Sequence, residues 1–494
     1  MASSFLPGGK MSSSPLSFSL FLPYLPEMLF ALGAVVLFVE DLFLPNKKEV
    51  RLEVFFWTLF LIVVATGYSL FLIPFSPSLP YGLVDDLFRR VLIGIFLVLF
   101  FLTLLLSHPY LKHFPLPEGE YYLLLLFSFL GLSFLVSTQH LGYIFLALEL
   151  LSLPLYSLCS LRYDEPRSGE GGMKYFFLGS SATTFLLMGT ALIYLDQGSF
   201  LLQELQDGKS PIFFLGIFLF LLGSVFKLSW VPLHFWSPDA YEGAPLPVTA
   251  WMSTGVKVGV VGVLLRFILV LSSPYIRTFL IVGILFTVIY GNLLTLRQEN
   301  LKRFFAYSSI AHAGYLGLGF VEPNLSSIAS ILFYLVVYSL MNMGGFGVLV
   351  ALSEKGKERE NLGDFKGLSH THPFLSFVFL SVLVSFAGIP PLAGFSAKVF
   401  LFSSALSQGV ILTTLVAILF SVLSLYYYVR PVVAMYMEEG GGKNPPIPLE
   451  LSSHLMVLFV GVLSLLFFLG VWPGILFRPF EMVGQSLVGG GLSP

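Results

Sequence analysis

Of the 494 residues only one, Cys159, is a cysteine. That excludes an internal disulfide and any cysteine-held iron–sulfur cluster. Charge is scarce as well. Asp, Glu, Lys and Arg make up 11% of the chain, against about 25% in a soluble globular protein. A water-soluble domain of this length would have no surface to match. The composition therefore excludes a soluble enzyme, a nucleic-acid binder and a disordered scaffold. The net charge of -2 gives no bulk electrostatic case for an acidic or basic partner. Strand-like alternation is missing, so a β-barrel is not expected. There is no Walker sequence, and the eight histidines lack metal-ligand spacing. No nucleotide, metal or haem site is expected in this chain.

What the chain does have is apolar sequence: 56% of its residues are hydrophobic and the mean hydropathy is +0.88. Hydropathy separates about fourteen apolar segments of membrane-spanning length. Their limits are 21–43, 54–73, 89–107, 121–138, 140–160, 172–195, 211–236, 246–270, 275–296, 302–320, 326–352, 374–406, 409–436 and 453–477. The fold class is thus an all-α polytopic membrane protein. The opening MASSFLPGGKMSSSPLSFSL carries a lone Lys10 followed by serines. It is a poor signal peptide and reads as a short tail. The odd-numbered loops hold fifteen Lys and Arg, and the even loops with both tails hold six. Both termini are therefore expected on the outer side.

The five basic residues not counted with the loops and tails, Lys174, Lys227, Lys257, Arg266 and Lys398, lie inside predicted spans. Glu149, in FLALELLSLPLYSL, joins them. A charge at the centre of a span costs roughly 2.5–3.5 kcal/mol on insertion scales, so such groups face protein or water and are usually functional. Lysine suits proton relay because desolvation favours its neutral form and a nearby carboxylate favours the charged one. Glu149, Lys227, Lys257 and Lys398 are the primary candidates. The structural alternatives are a helix-tying carboxylate for Glu149 and snorkelling for the lysines. Snorkelling is disfavoured because Lys227 and Lys257 lie far from the ends of their spans. Pro232 follows Lys227, and Pro390 and Pro391 precede Lys398 between Gly388 and Gly394. Two distant spans thus pair a helix break with a lysine, which suggests inverted repeats with ion sites at their interface. The order is reversed between the two, however.

Other candidates carry blander readings. Glu170 and Lys174 can share a helix face, as a local ion pair or as relay groups. His234 and His312 are proton shuttles or hydrogen-bonded interior groups. Arg266 and Glu27 read as interfacial anchors.

Four runs carry a family resemblance: ELLSLPLYSL, FKLSWVPLHFWSPDAYEGAPLPV, LKRFFAYSSIAHAGYLGLG and AGIPPLAGFSAK. They resemble the antiporter-like membrane subunits of respiratory complex I, the NADH:quinone oxidoreductase, over nearly the whole chain. Support is weaker in the first three spans and the tail. The ELLSLPLY and AYSSIAHAGY runs favour the smallest of three sister subunits. The lack of a long C-terminal amphipathic helix with an extra span argues against the largest, and lysine rather than glutamate at 398 against the middle one.

The resemblance implies two inverted five-helix repeats with broken helices in spans seven and twelve. The first would occupy 121–271 and the second 272–437, with a three-helix region at 1–120 and a last span and tail at 438–494. It implies that Glu149 pairs with Lys227, that Lys257 is the central connecting lysine, that Lys398 lies at the exit side and that His312 lies between the last two. Proton translocation through this axis would be driven by quinone reduction elsewhere in the complex. NADH, FMN, iron–sulfur clusters and quinone would belong to the wider complex, with no redox centre in this chain. The partners implied are the neighbouring antiporter-like subunit, small membrane subunits and lipid, in the cell inner membrane. The competing readings are a subunit of a multi-subunit cation/proton antiporter, a free-standing solute transporter and an inert scaffold. The transporter lacks a recognisable ligand motif, and a scaffold has no reason to retain buried lysines beside helix breaks.

Overall fold

The computed structural model describes residues 22–489, apart from 46, 76–78, 207, 209, 272, 355 and 439–450. The tail with Lys10, and Lys209, Lys355 and Lys443 of the charge count, lie outside the described residues.

The chain runs through helices α1 (Leu25–Phe43), α2 (Lys48–Leu72), α3 (Leu87–His113), α4 (Glu118–Val136), α5 (Leu141–Cys159), α6 (Pro166–Gln197), α7 (Pro211–Lys227), α8 (Trp236–Gly243) and α9 (Leu246–Val270). It continues through α10 (Pro274–Thr295), α11 (Leu301–Gly317), α12 (Leu325–Leu352), α13 (Leu368–Thr371), α14 (Pro373–Ala387), α15 (Ala393–Ser407), α16 (Ile411–Tyr436), α17 (Ser453–Val471) and α18 (Gly474–Gly489). No named strand occurs among the described residues. Each expected span meets a helix, with ends that differ by up to nine residues, the largest where α7 stops at Lys227. The mismatch has a simple cause. Hydropathy marks where lipid must be, whereas the hydrogen-bond ladder continues through charged turns such as Lys48–Glu53.

By length and composition, eleven described helices can cross a membrane. The apolar helices α7, α14 and α15 are shorter, at 15–17 residues. The count of fourteen crossings is therefore not established by helix length. Three helices, α8, α13 and α18, were not expected as separate elements. The last predicted span, 453–477, is interrupted: α17 ends at Val471 and α18 begins at Gly474.

α9 and α12 form the interior: 89% and 94% of their apolar windows are buried. α1, α2, α6, α16 and α17 lie at the periphery with apolar faces exposed. Between helices in lipid, close packing replaces the hydrophobic effect as the source of attraction, so small residues matter at crossings. On α6, a Cβ at Gly189 would stand 2.5 Å from the Phe220 backbone nitrogen of α7.

Both expected breaks are present. α7 stops at Lys227, and residues 228–235 are non-helical up to α8. Ser229 takes φ +59 there, and the Val231–Pro232 bond is cis. α14 stops at Ala387, capped by Gly388 at φ +83, whose N–H and that of Ile389 both return to Val384 O. Glycine suits this left-handed cap because it has no Cβ to clash. The Pro390–Pro391 bond, also cis, leads into α15. There Gly394 packs so tightly that a Cβ would lie 1.8 Å from Ser385 O.

Candidate functional site

The three interior lysines are buried, with relative exposures of 2%, 2% and 5% for Lys227, Lys257 and Lys398. None contacts a carboxylate among the described residues. Lys227 is the last residue of α7. Its ammonium donates to Tyr156 Oη of α5 at 3.4 Å and to Tyr175 Oη of α6 at 3.5 Å, and lies over both rings. Lys257, midway along α9, donates to Ser309 O at 2.7 Å and Tyr338 Oη at 3.2 Å, and also touches Ser309 Oγ. Lys398 reaches back from α15 to the Ala387 carbonyl at 3.1 Å, at the end of α14. That carbonyl points at no further helical turn, so the break itself supplies the acceptor. The reversed order of proline and lysine in the two spans thus has a geometric counterpart. Lys227 ends a half-helix, whereas Lys398 reaches across a break to the end of one.

Tyrosines, a tryptophan and a serine lie next to these positions. Tyr175 stacks on Trp236 of α8 with centroids 4.3 Å apart. Tyr241, later in α8, brings its Oη to 3.5 Å from Ser309 Oγ, and Ser309 holds Lys257. Tyr338 of α12 touches Lys257 and lies 5.4 Å, ring to ring, from His312 of α11. His312 Nδ1 and Nε2 meet Tyr334 Oη at 2.6 Å and Tyr428 Oη at 3.0 Å. Tyr315 lies beneath the Lys398 ammonium at 5.7 Å. Sequence reasoning found the lysines and the histidine but missed Tyr156, Tyr175, Tyr241, Tyr334, Tyr338, Tyr428 and Ser309. Tyrosine counts as apolar in a hydropathy window. The only available signal was that Ser309 and His312 share the AYSSIAHAGY run.

Several expectations are corrected. Glu149 does not touch Lys227: it is half-buried on α5 and forms no hydrogen bond or ion pair with a described residue. His234 lies buried in the first break against Phe235 and Tyr290, apart from the lysines, with Nδ1 unpartnered. Glu27 and Arg266 are not interfacial anchors. Glu27 is 2% exposed and accepts from Arg89 at 2.7 and 2.9 Å. Arg266 forms a two-pronged pair with Asp86 at 2.8 Å. In each case a partner brought by another helix removes the reason to reach for the headgroups.

Glu170 and Lys174 do pair, at 2.6 Å, but within a larger network. Lys174 also holds Asp239 at 2.7 Å, and Arg303 binds Asp239 at 2.7 Å and Glu242 at 2.8 Å. Deeper, Glu358 accepts from Tyr110 at 2.6 Å and Lys302 at 2.9 Å, and pairs with Arg162 at 2.8 Å. Burial would raise the Asp239 carboxyl, but Lys174 and Arg303 outweigh it and hold the group below its ordinary value. Its contribution is therefore complete at neutral pH and is lost only as the pH falls through that lowered value. Lys174 is 42% exposed, and exposed pairs stabilise by about 0–1 kcal/mol. Lys174→Ala is expected to change thermal stability by no more than that and to leave proton transport intact. A transport loss as large as that of Lys227→Ala would make Lys174 a relay group instead.

The sequence profile described as NADH:quinone oxidoreductase/Mrp antiporter, TM matches residues 138–424, more than half of the chain. The chain belongs to this family. The match takes in both breaks and all three lysines. Among relatives, the NADH-quinone oxidoreductase subunit N of Trichlorobacter lovleyi is 37% identical over 84% of this chain and 87% of its own length. That of Coxiella burnetii is 35% identical over 92% and 97%. A chain of respiratory complex I from Thermus thermophilus superposes with a TM-score of 0.78 at 32% identity, covering 92% of this chain and 98% of that one. The Mrp complex of Dietzia supplies a chain with a TM-score of 0.81, but at 20% identity that likeness concerns the fold alone. Among the described residues no group of three or more His, Cys, Asp or Glu could hold a metal ion.

Proposed function

We propose that this chain is the subunit N type of proton-translocating membrane-arm subunit in a bacterial NADH:quinone oxidoreductase, set in the inner membrane with both termini on the outer side. The observation that carries this reading is that three buried amines are each held, among the described residues, by hydroxyls or backbone carbonyls and by no carboxylate. A permanently charged group left without a counter-ion in such surroundings is costly. A group that gains and loses a proton needs no fixed counter-ion. The curated relatives support the same reading, since those at 35–37% identity are subunits N. The cation/proton antiporter reading shares the family description and a likeness of fold, but no relative at 35–37% identity supports it.

The axis divides into two halves meeting at Ser309. Spans four to eight carry Glu149, Lys227 and Lys257, and spans nine to thirteen carry His312 and Lys398; we read these as the two inverted repeats. Movement of Glu149 relative to Lys227 sets whether that amine keeps its proton, because an opposite charge favours the protonated form and burial opposes it. The proton then passes through hydroxyls and water toward Lys257 and on to Lys398. FMN, iron–sulfur clusters, quinone and NADH belong to other subunits. In assembled complex, Glu149→Ala is expected to lower the proton-to-electron ratio while assembly is retained, measured by proton uptake in inverted vesicles. An unchanged ratio would contradict the reading. Co-purification of the chain with flavin and a piericidin-sensitive quinone reductase tests its membership of the complex.

A further inference from the structure

His312 is 2% exposed, and both of its ring nitrogens are committed to tyrosine hydroxyls from different helices. Tyr334 comes from α12 and Tyr428 from α16. Tyr428 Oη also bonds Ser308 Oγ, so the contacts run Tyr334–His312–Tyr428–Ser308 without a gap. At the other end, Tyr334 borders a narrow crevice whose walls include Lys257, His312 and Tyr338. No Asp or Glu hydrogen-bonds or pairs with His312 among the described residues, and Lys257 lines the same crevice. An imidazolium here would stand near that amine with no carboxylate bonded to it.

Neutral imidazole has one N–H donor and one bare nitrogen acceptor, and a tyrosine hydroxyl can both give and accept. The chain can therefore be satisfied in two ways. In one, the Tyr334 hydroxyl donates to Nδ1 and Nε2–H donates to Tyr428 Oη. In the other, every bond points the opposite way. Both arrangements contain the same number of hydrogen bonds, and neither contains a charge.

We propose that Tyr334, His312 and Tyr428 form a neutral proton wire, in which the imidazole passes protons by exchanging tautomers, and that the two tyrosine hydroxyls are catalytic groups for translocation. In one passage a proton arrives at Tyr334 Oη, and the proton already there moves to Nδ1. The Nε2 proton moves to Tyr428 Oη, whose own proton moves to Ser308 Oγ as the Ser308 hydroxyl proton leaves to water. Each group gains one proton and loses one, so no charge stays on the wire. Rotation of the hydroxyls and return of the other tautomer reset it. The inference rests on reading the lysine axis as the proton route, and it adds the element that carries protons past Lys257.

The test uses whole assembled complex in sealed vesicles, comparing His312→Gln, Tyr334→Phe and Tyr428→Phe with Lys257→Ala at equal amounts of complex. A glutamine amide can hold a donor and an acceptor bond but has no tautomer to exchange. Phenylalanine keeps the ring, which in Tyr428 stacks on Phe386, and removes only the hydroxyl. The expected result is that all three variants lose as much of the proton-to-electron ratio as Lys257→Ala does. A full ratio in His312→Gln overturns tautomer exchange. A full ratio in either Phe variant, with the ratio lowered in Lys257→Ala, overturns the wire and leaves the lysine route standing. A full ratio in Lys257→Ala itself defeats the underlying reading instead. Because the two hydroxyls are removed independently, a failure of one variant to assemble leaves the other to decide.

Discussion

Lys227→Ala and Lys398→Ala are expected to give complexes that assemble yet lose proton transport through this chain. Both halves of that expectation follow from the contacts. Neither amine touches a carboxylate: Lys227 donates to two tyrosine hydroxyls and Lys398 to one backbone carbonyl. Removing either breaks no ion pair among the described residues and leaves hydrogen-bonding groups that water can satisfy, at about 1–3 kcal/mol for each group left unpaired. Transport is another matter. A positioned proton donor or acceptor typically contributes about 10²–10⁴-fold to the rate of its step. Flux through this chain is thus expected to fall by on the order of 10²-fold, the low end of that range. Acidification measured beside electron flow in vesicles reads it directly. If both variants retain the wild-type proton yield, the relay is refuted.

Arg89→Ala should do the reverse, harming the fold rather than the transport. Arg89 is fully buried and binds Glu27, Asp85, Ser137 Oγ and Pro23 O. Ser133 of α4 also donates to Glu27, at 2.7 Å. One guanidinium therefore ties α3 to α1, and the shared carboxylate extends the tie to α4. Removing it strands Glu27 in the interior, and breaking a buried pair in this way costs about 3–5 kcal/mol. Loss of most of the assembled subunit is expected, with a clear fall in the thermal transition of what remains. Arg89→Lys should rescue only in part, because one ammonium cannot span the same fork of acceptors. Wild-type assembly and stability in Arg89→Ala would show that the cluster is not a structural tie.

The contrast between these two sites explains what could be read in advance. The spans were legible because lipid imposes a length and a composition on each. Glu149 and the three lysines were legible because a charge in an apolar run stands out. The breaks at Pro232 and at Pro390–Pro391 were legible because proline cannot continue a hydrogen-bond ladder. Tyr334, Tyr338 and Tyr428 were hidden, since an uncharged tyrosine inside a long apolar run does not stand out as a charge does. Arg89, Asp85 and Asp86 looked like loop residues because burial depends on what other helices bring. Asp239 and Arg303 are 64 residues apart, and nothing local announces such a pair. His234 sat beside the first break and looked eligible. The backbone there turns it toward Tyr290 instead.

Glu358 also bears on how the protein is made. Tyr110, one of its donors, precedes it by 248 residues and is synthesised long before the carboxylate that completes its contacts. Arg162 and Lys302 likewise leave the ribosome without their counter-ion. Until residue 358 is made, Tyr110, Arg162 and Lys302 lack this shared acceptor, so a chain truncated before it cannot complete the junction.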